Sequence, residues 1–586
     1  MLGEAALGEA ALSEGAGDGI QPIVSVGLVA DQNMLVIVVE LELGVIDFEP
    51  ESPGDPEEAD PEEPPTRPDT PDPLETVIQR FSSHSFVTRS TDTPASTFIP
   101  GRLSGGVTIG RKVSGGPDGQ FGSLIVATFG EIELINTDGS LDSLVDEFAI
   151  DGHPVTVKVG YTEIDSQGRE IVQPFSEFEV AYVATAGAWT LEHDALRLRM
   201  RDQGIKLQHN LQLAVYGGNG GQQGTEEMTG RTVPVALGRV RNVPAQQVDP
   251  VFLTYQVHNA SVSAISAVYD AGISVPGESG SPGSPINYAD YAALTAASVT
   301  SGTYATALSG GYFRLGTTPV GTVTADVDGD NRDGSWVASP ATIMRRILLM
   351  YSDIGTDAID HASFFALHDL NSNIIGLFLS AGDESTIEQV MERIALSVGA
   401  TVGQDRSGLY RAVRIDHPAE AGDPIYFFDD RNILLIERQP LPYGVPFRSW
   451  TLEYRRNWTV QKGGDLATSV SQSRRRFLES EARLRKVETP NVARAHPTSA
   501  SATRASLIDS QGNADAEAVR LATLYEYGRS FYRLTVKGFL FQISIGDVVN
   551  IVYPRWDLDI IGGKDFIVVA VTDNSDSVET ELEVFG

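Results

Sequence analysis

Between residues 76 and 215 the chain is written in twos. SFVTRS, GGVTIGR, SLIVATFGEIELIN, PVTVKVGYTEI, SEFEVAYVAT and WTLEHDALRLRM alternate apolar and polar residues, and turn-formers such as NTDGS and DSQGR separate them. Successive side chains of a strand point to opposite faces, so this period buries one face of an antiparallel sheet and solvates the other. Short strands punctuated in this way close into a barrel or sandwich, and a first β-barrel domain is expected at 76–215. The texture returns late in the chain. SWTLEYRRNWTV opens a second block, and YRLTVKGFLFQ, IGDVVNIVYPR, KDFIVVAVTDN and VETELEVFG close it. A second barrel is expected at 419–586, with a helical insertion at 465–530 made of helices near 465–486 and 514–528.

Between the barrels the pattern changes twice. Residues 216–337 form an irregular β-rich domain with Gly-rich loops, YGGNGGQQG at 216–224 and GESGSPGSP within 274–285. At 338–418 the period lengthens. Ser339 as N-cap and Pro340 at the first helical position open SPATIMRRILLMYS, where Ile343, Ile347 and Met350 form a stripe. In DESTIEQVMERIALSVG, Ser385 and Glu388 fit a capping box, Ile387, Val390, Met391, Ile394 and Val398 face one side, and Gly399 marks the end. A hairpin turning at Gln404 to Gly408 completes a small α+β domain.

Ahead of these lie an N-terminal arm at 1–48, with an apolar strand-like run at 34–48, and an acidic, proline-rich linker at 49–75. EPESPGDPEEADPEEPPTRPDTPDP cannot bury a core and is expected to be disordered and solvated. The expected fold class is therefore α+β, mainly β: two antiparallel barrels flanking a smaller α+β module, preceded by that linker.

Charge and composition narrow the function. Asp and Glu number 79 against 43 Lys and Arg, a formal net charge of −36, which repels phosphate and argues against direct nucleic-acid binding outside a local basic groove. Cysteine is absent, which removes disulfides, thiolate metal sites and thiol nucleophiles. MLGEAALGEAALSEG lacks the positive start of a signal peptide, and MLVIVVELELGVIDF is too short, and interrupted by Glu40 and Glu42, to span a bilayer.

No catalytic signature emerges. GxSxG, Walker, HExxH and dinucleotide-binding patterns are missing, and no cofactor is called for. His361 and His368 lie in the largely apolar HASFFALHDL. Glu192, His193 and Asp194 are neighbours read as one strand, where alternating directions keep them from one pocket. The run Arg474, Arg475, Arg476 opens SQSRRRFLESEARLRK, where Arg475–Glu479, Glu479–Arg483 and Glu481–Arg485 are spaced as on a solvent-facing helix. The alternative is a basic patch meeting an acidic partner subunit.

TADVDGDNRDG, residues 324–334, gathers the only candidates for a metal: Asp326, Asp328, Asp330 and Asp333. With Asp326 as position one of an EF-hand, Asp328 and Asp330 fall at three and five. Asn331 then replaces the required Gly and Val337 the bidentate Glu, so an EF-hand is rejected. What remains is a weak, looser calcium site or an acidic turn, solvated or facing a neighbouring subunit.

GRTVPVALGRVRNVPAQQVDPVFLTYQVHNASVSAISAVYDAGISV, GTVTADVDGD, FGEIELINTDGSLDSLVDEFAIDGHPVTVKVG, IGDVVNIVYPRWDL and the opening LGEAALGEAAL resemble structural proteins of the tail tip, or baseplate hub, of long-tailed (siphovirus-like) bacteriophages and related prophages. The resemblance covers about residue 80 onward and excludes the linker. It implies two related barrels per chain in a homotrimer, and contacts with the distal tail protein, the tape-measure protein and tip fibre or spike proteins. It also implies a place at the distal end of the virion tail, where a hub closes the channel until host attachment and lets DNA pass without specific binding. A receptor-binding or fibre-anchoring protein of the same tip is the alternative, with a cell-wall hydrolase behind it.

Overall fold

The computed structural model describes residues 34–45, 75–115, 119–278, 284–526 and 528–586. Most of the arm and nearly all of the acidic linker lie outside the described residues. The remaining part of the arm, Leu35–Val45, is a strand at the heart of an eight-stranded antiparallel sheet. It pairs with Thr76–Ser82 on one side and Pro154–Ile164 on the other. Its run VIVVELEL has little polar alternation because both faces are covered. Ile37, Val39, Leu41 and Leu43 enter the main core of the sheet, while Val36 and Val38 lie under Phe175 and Phe178.

From Pro154–Ile164 the sheet continues through Glu179–Leu191 and Ala195–Arg201 to Glu131–Ile135. Its two edges are joined by an irregular segment. Leu103 N–H donates to Ser82 O at 3.0 Å, and Ser104 N–H to Glu133 O at 2.8 Å. The result is a curled, partly closed sheet around one apolar core. Glu192, His193 and Asp194 are not in a strand, as expected from sequence, but form the exposed turn between Glu179–Leu191 and Ala195–Arg201.

The mainly β class holds, but among the described residues the strand ladders do not make two closed antiparallel barrels. Thr108–Gly115 and Phe121–Phe129, from the range expected to close the first barrel, belong to a ten-stranded sheet with the C-terminal strands. Thr108–Gly115 pairs with Lys564–Asn574, and Phe121–Phe129 pairs in parallel with Ala400–Gln404. The C-terminal strands curl around their own core, from Ile433–Gln439 through Phe531–Lys537, Glu579–Phe585, Lys564–Asn574 and Val548–Ile551 to Tyr426–Phe428. No ladder joins the two ends of that path among the described residues. Alternation specifies that a strand has a buried face, but it does not specify which strand lies beside it.

Aromatic packing explains the exchange of strands. Phe121 meets Phe585 at 4.9 Å between ring centroids and stacks on Tyr525, which also stacks on Trp450 and meets Tyr443 edge-on. Phe121 N–H donates to Tyr525 Oη at 2.6 Å. Each of these rings is buried, so the hairpin carrying Phe121 is anchored where helices and C-terminal strands converge.

The α+β module follows its local signals. Pro340–Met350 is capped by Ser339, with Ile343 and Ile347 buried, although Met350 turns outward. Ile387–Ser397 buries the predicted stripe, but its capping box is Thr386 with Gln389, one residue beyond the expected pair; Ser385 instead donates to Asp383. HASFFALHDL supplies a further helix, His361–Leu370. The expected helix over 465–486 is only Gln472–Leu478, and Arg483–Glu488 is a strand paired with Ser449–Tyr454. Among the described residues no helix is long and apolar enough to cross a membrane.

Candidate functional site

The acidic stretch 324–334 begins as a strand, Val323–Asp330, in the middle of a five-stranded sheet between Val262–Asp270 and Val235–Pro244. The alternation that sends Ala325 and Val327 into an apolar core sends Asp326, Asp328 and Asp330 to the opposite face. Two arginines of Val235–Pro244 line the same face. Arg239 lies opposite Asp328, and its Nε and Nη2 donate to the two carboxylate oxygens at 2.6 and 3.0 Å. Arg241 reaches Asp326 at 3.6 Å and grips Asp509 with two bonds of 3.2 and 3.1 Å.

Asp330 is fully buried. It accepts from Arg346 and, at 2.8 Å, from Tyr351 Oη, with Arg332 Nε at 3.2 Å. His258 Nδ1 accepts from the Ala236 N–H, which leaves the proton on Nε2, 3.5 Å from Asp330. Burial pushes the Asp330 carboxyl up, but His258, Tyr351 and Arg332 together hold it well below the ordinary carboxylate range. Burial keeps His258 below its ordinary value, against the pull of Asp330. Asp333 shares Arg346 with Asp330, at 2.6 Å, and closes a turn onto Ser335 N–H.

The four candidate carboxylates are thus not gathered around a common centre. Each is engaged by arginine, and among the described residues no group of three or more His, Asp or Glu is arranged to hold a metal. The expected acidic turn is confined to 331–334, where Asp333 is 46% exposed. Asp326, Asp328 and Asp330 instead form a largely buried ladder against arginines, most of them distant in sequence and not visible there as partners. Burial of this kind requires nearly complete pairing, because an uncompensated interior charge costs several kcal/mol.

Beside the ladder lies a basic cleft that the sequence indicated only through its arginine run. Ser471 caps Gln472–Leu478, accepting from the Arg474 N–H at 3.3 Å. Arg474 stacks over Tyr269 at 3.8 Å and lies 5.2 Å from the Phe477 ring. Two adjoining hollows of about 440 and 420 Å³ share Ser473, Phe477 and Arg483 in their walls. Arg476 lines one, and Arg241, Arg455 and Arg474 line the other. The expected helical pairs Glu479–Arg483 and Glu481–Arg485 do not form. Arg475 approaches Glu479 at 4.0 Å, Glu481 pairs with Arg456, and Arg485 pairs with Asp515.

The other features singled out by sequence are structural. The Gly-rich loop 216–224 folds on itself, with Gly218 N–H donating to Gln223 O and Gly220 N–H to Gly224 O, both at 2.8 Å. Tyr216 is buried and donates to Gln256 at 2.9 Å. The loop at 274–285 is described only in part. His361 accepts from Arg345 at 2.9 Å, and His368 contacts the capping Ser339 at 2.8 Å.

No family model matches this sequence, and no curated protein matches it. Solved structures do. A chain from the virion of a native gene transfer agent particle is 14% identical, with a TM-score of 0.39, over 61% of this chain and 84% of that one. The 43 kDa tail protein of prophage MuSo2 from Shewanella oneidensis is 8% identical at TM-score 0.34, over 83% and 94% of the two chains. A tail protein from Neisseria meningitidis MC58 is 9% identical at 0.32, over 83% and 96%.

Proposed function

We propose that this chain is a structural subunit of a phage-type tail tip: a baseplate hub that joins the tail tube to the distal tip and closes the DNA channel until host attachment. The observation that carries the reading is the coincidence of the resembling phrases with buried strands of the main sheets. GRTVPVALGRVRNVP contains Val235–Pro244, an interior strand of the five-stranded sheet beside Val323–Asp330, and IGDVVNIVYPRWDL contains Val548–Ile551 of the C-terminal sheet. The ten-stranded sheet ties segments from residue 108 to residue 585 into one body, the kind of cross-linked architecture that transmits force between neighbours. An acidic channel wall would let DNA slide without adhering.

In this role the chain assembles as a homotrimer at the distal end of the tail, against the distal tail, tape-measure and fibre or spike proteins, and performs no catalysis. Native mass measurement of the purified protein is expected to give a trimer. A stable monomer with no affinity for other tail proteins would sink the assembly role, and clearing of cell wall in a zymogram would sink the non-enzymatic one.

A further inference from the structure

We infer that the arginine cleft beside Gln472–Leu478 is a docking site for an extended, carboxylate-rich segment of another protein subunit. The charge is the first reason. In a chain of net charge −36, five arginines (Arg241, Arg455, Arg474, Arg476 and Arg483) line the two adjoining hollows, and Asp326 is the one carboxylate among the lining residues. That carboxylate is already occupied, accepting from the Asn242 N–H at 2.8 Å and Tyr269 Oη at 3.1 Å and facing Arg241. The acids on the rim are committed too, Glu479 to Arg475 and Glu481 to Arg456.

Several of the arginines are not committed. Arg241 and Arg455 bind Asp509. Arg476 and Arg483, both exposed, have no ion pair or side-chain hydrogen bond among the described residues; Arg483 only rests 5.8 Å from the Phe477 ring. Arg474 packs against Tyr269 and Phe477, with Nη2 donating to Asn242 Oδ1 at 3.4 Å. The exposed guanidiniums of Arg476 and Arg483, with free donors, are placed beside it to bind carboxylates.

The second reason is the strand that forms one wall. Arg483–Glu488 is the edge of a three-stranded sheet, in the order Arg483–Glu488, Ser449–Tyr454, Ser501–Arg504. Its ladder runs only to Ser449–Tyr454, and no other backbone bond to residues 483–488 occurs among the described residues. The unpaired edge offers N–H and C=O groups to an added strand, next to the exposed apolar Leu484. An acidic extended segment satisfies both features together, with backbone on the edge and carboxylates on Arg476 and Arg483. Duplex DNA fits less well, since its phosphates would also face the surrounding acidic surface.

The segment 49–73 of this sequence supplies the carboxylates but, being rich in proline, not the strand pairing, and so serves as the probe of the arginines. A labelled synthetic peptide of that sequence is titrated against the full chain, against Arg476→Glu/Arg483→Glu, and against Arg476→Gln/Arg483→Gln in case charge reversal disturbs folding. The peptide is expected to bind the parent chain, to weaken with added salt, and to lose about tenfold or more in affinity in both variants. The proposal is overturned by no binding to the parent or to a chain lacking 49–73, by equal binding of a peptide with Gln and Asn in place of its acids, or by tighter binding of a short DNA duplex through the same arginines. Binding seen only after 49–73 is deleted assigns the cleft to the chain's own segment and overturns docking by another subunit. Native mass of each variant, measured in parallel, keeps this outcome separate from the assembly role.

Discussion

Arg239 and Asp328 face each other across neighbouring strands, with the guanidinium donating to both carboxylate oxygens at 2.6 and 3.0 Å. Both side chains are largely covered, at 29% and 18% exposure, so the pair is only partly screened by water. Arg239→Ala is expected to lower stability by about 1–3 kcal/mol in denaturant titration. Removing Asp328 as well should recover part of that loss, because no unpaired charge is then left behind.

Asp330 gives the ladder a pH signature. Its folded carboxyl binds a proton less readily than the unfolded chain does, so the unfolded state takes up more protons as the medium turns acid. The stability it contributes is therefore whole above the ordinary value of 3.8 and is lost as pH falls below that toward its lowered folded pKa. Asp330→Asn, which leaves Arg346 and Arg332 undercompensated, should cost about 3 kcal/mol or more near neutrality. The gap between parent and variant is expected to narrow as the pH of the unfolding experiment drops below 3.8.

Asp573 should behave in the opposite sense. It is buried, with Tyr182 Oη donating to one oxygen and Thr580 Oγ1 to the other at 2.6 Å. Burial raises its carboxyl above the ordinary value, against those hydrogen bonds and Arg111. Stability linked to this group is complete below 3.8 and declines as pH rises through the elevated folded pKa. Asp573→Asn should thus gain on the parent between acid and neutral pH, and a flat difference across that range would contradict the assignment.

Gly399 ends the helix Ile387–Ser397 with φ +66°, a conformation that favours glycine. A Cβ there would lie 1.9 Å from Arg520 Nη2, whose guanidinium is bound to Glu517 and Asp416. Gly399→Ala combines backbone strain with disruption of a buried ion network. A loss of about 2–4 kcal/mol is expected by thermal or chemical unfolding.

Chelation tests the engaged state of the carboxylates at 326–333. With each of them on an arginine, excess EDTA should leave the melting temperature unchanged. A fall of several degrees, restored by calcium, would show that the ladder opens to admit a cation.

What could be read from the sequence follows from the range of each signal. Ser339, Pro340 and Gly399 act on their own turns of helix, and all three were legible. The capping box was misplaced by one because Ser385–Glu388 and Thr386–Gln389 have the same spacing, and only Asp383, accepting from Ser385, separates them. Arg483 and Arg485 were read as helical because residues four apart share a face in a helix and also in a strand. The carboxylates of Val323–Asp330 were plain to see, but Arg239, Arg241 and Arg346 reach them through tertiary folding. The same holds for the cleft: the arginine run was visible, while Tyr269, Phe477 and the open edge strand that shape it were not.

The ten-stranded sheet also sets an order of events during synthesis. Val107 N–H donates to Ser575 Oγ at 2.7 Å, two residues 468 positions apart, and Thr108–Gly115 cannot gain its neighbour Lys564–Asn574 until the ribosome has reached it. At elongation speeds of about 5–20 residues per second, the early hairpin waits roughly 20 to 90 seconds with an unpaired edge. Its β-branched side chains spend that interval exposed to other nascent chains. Yield from cells should therefore depend on chaperone supply and expression temperature more steeply than the stability of the finished fold would suggest.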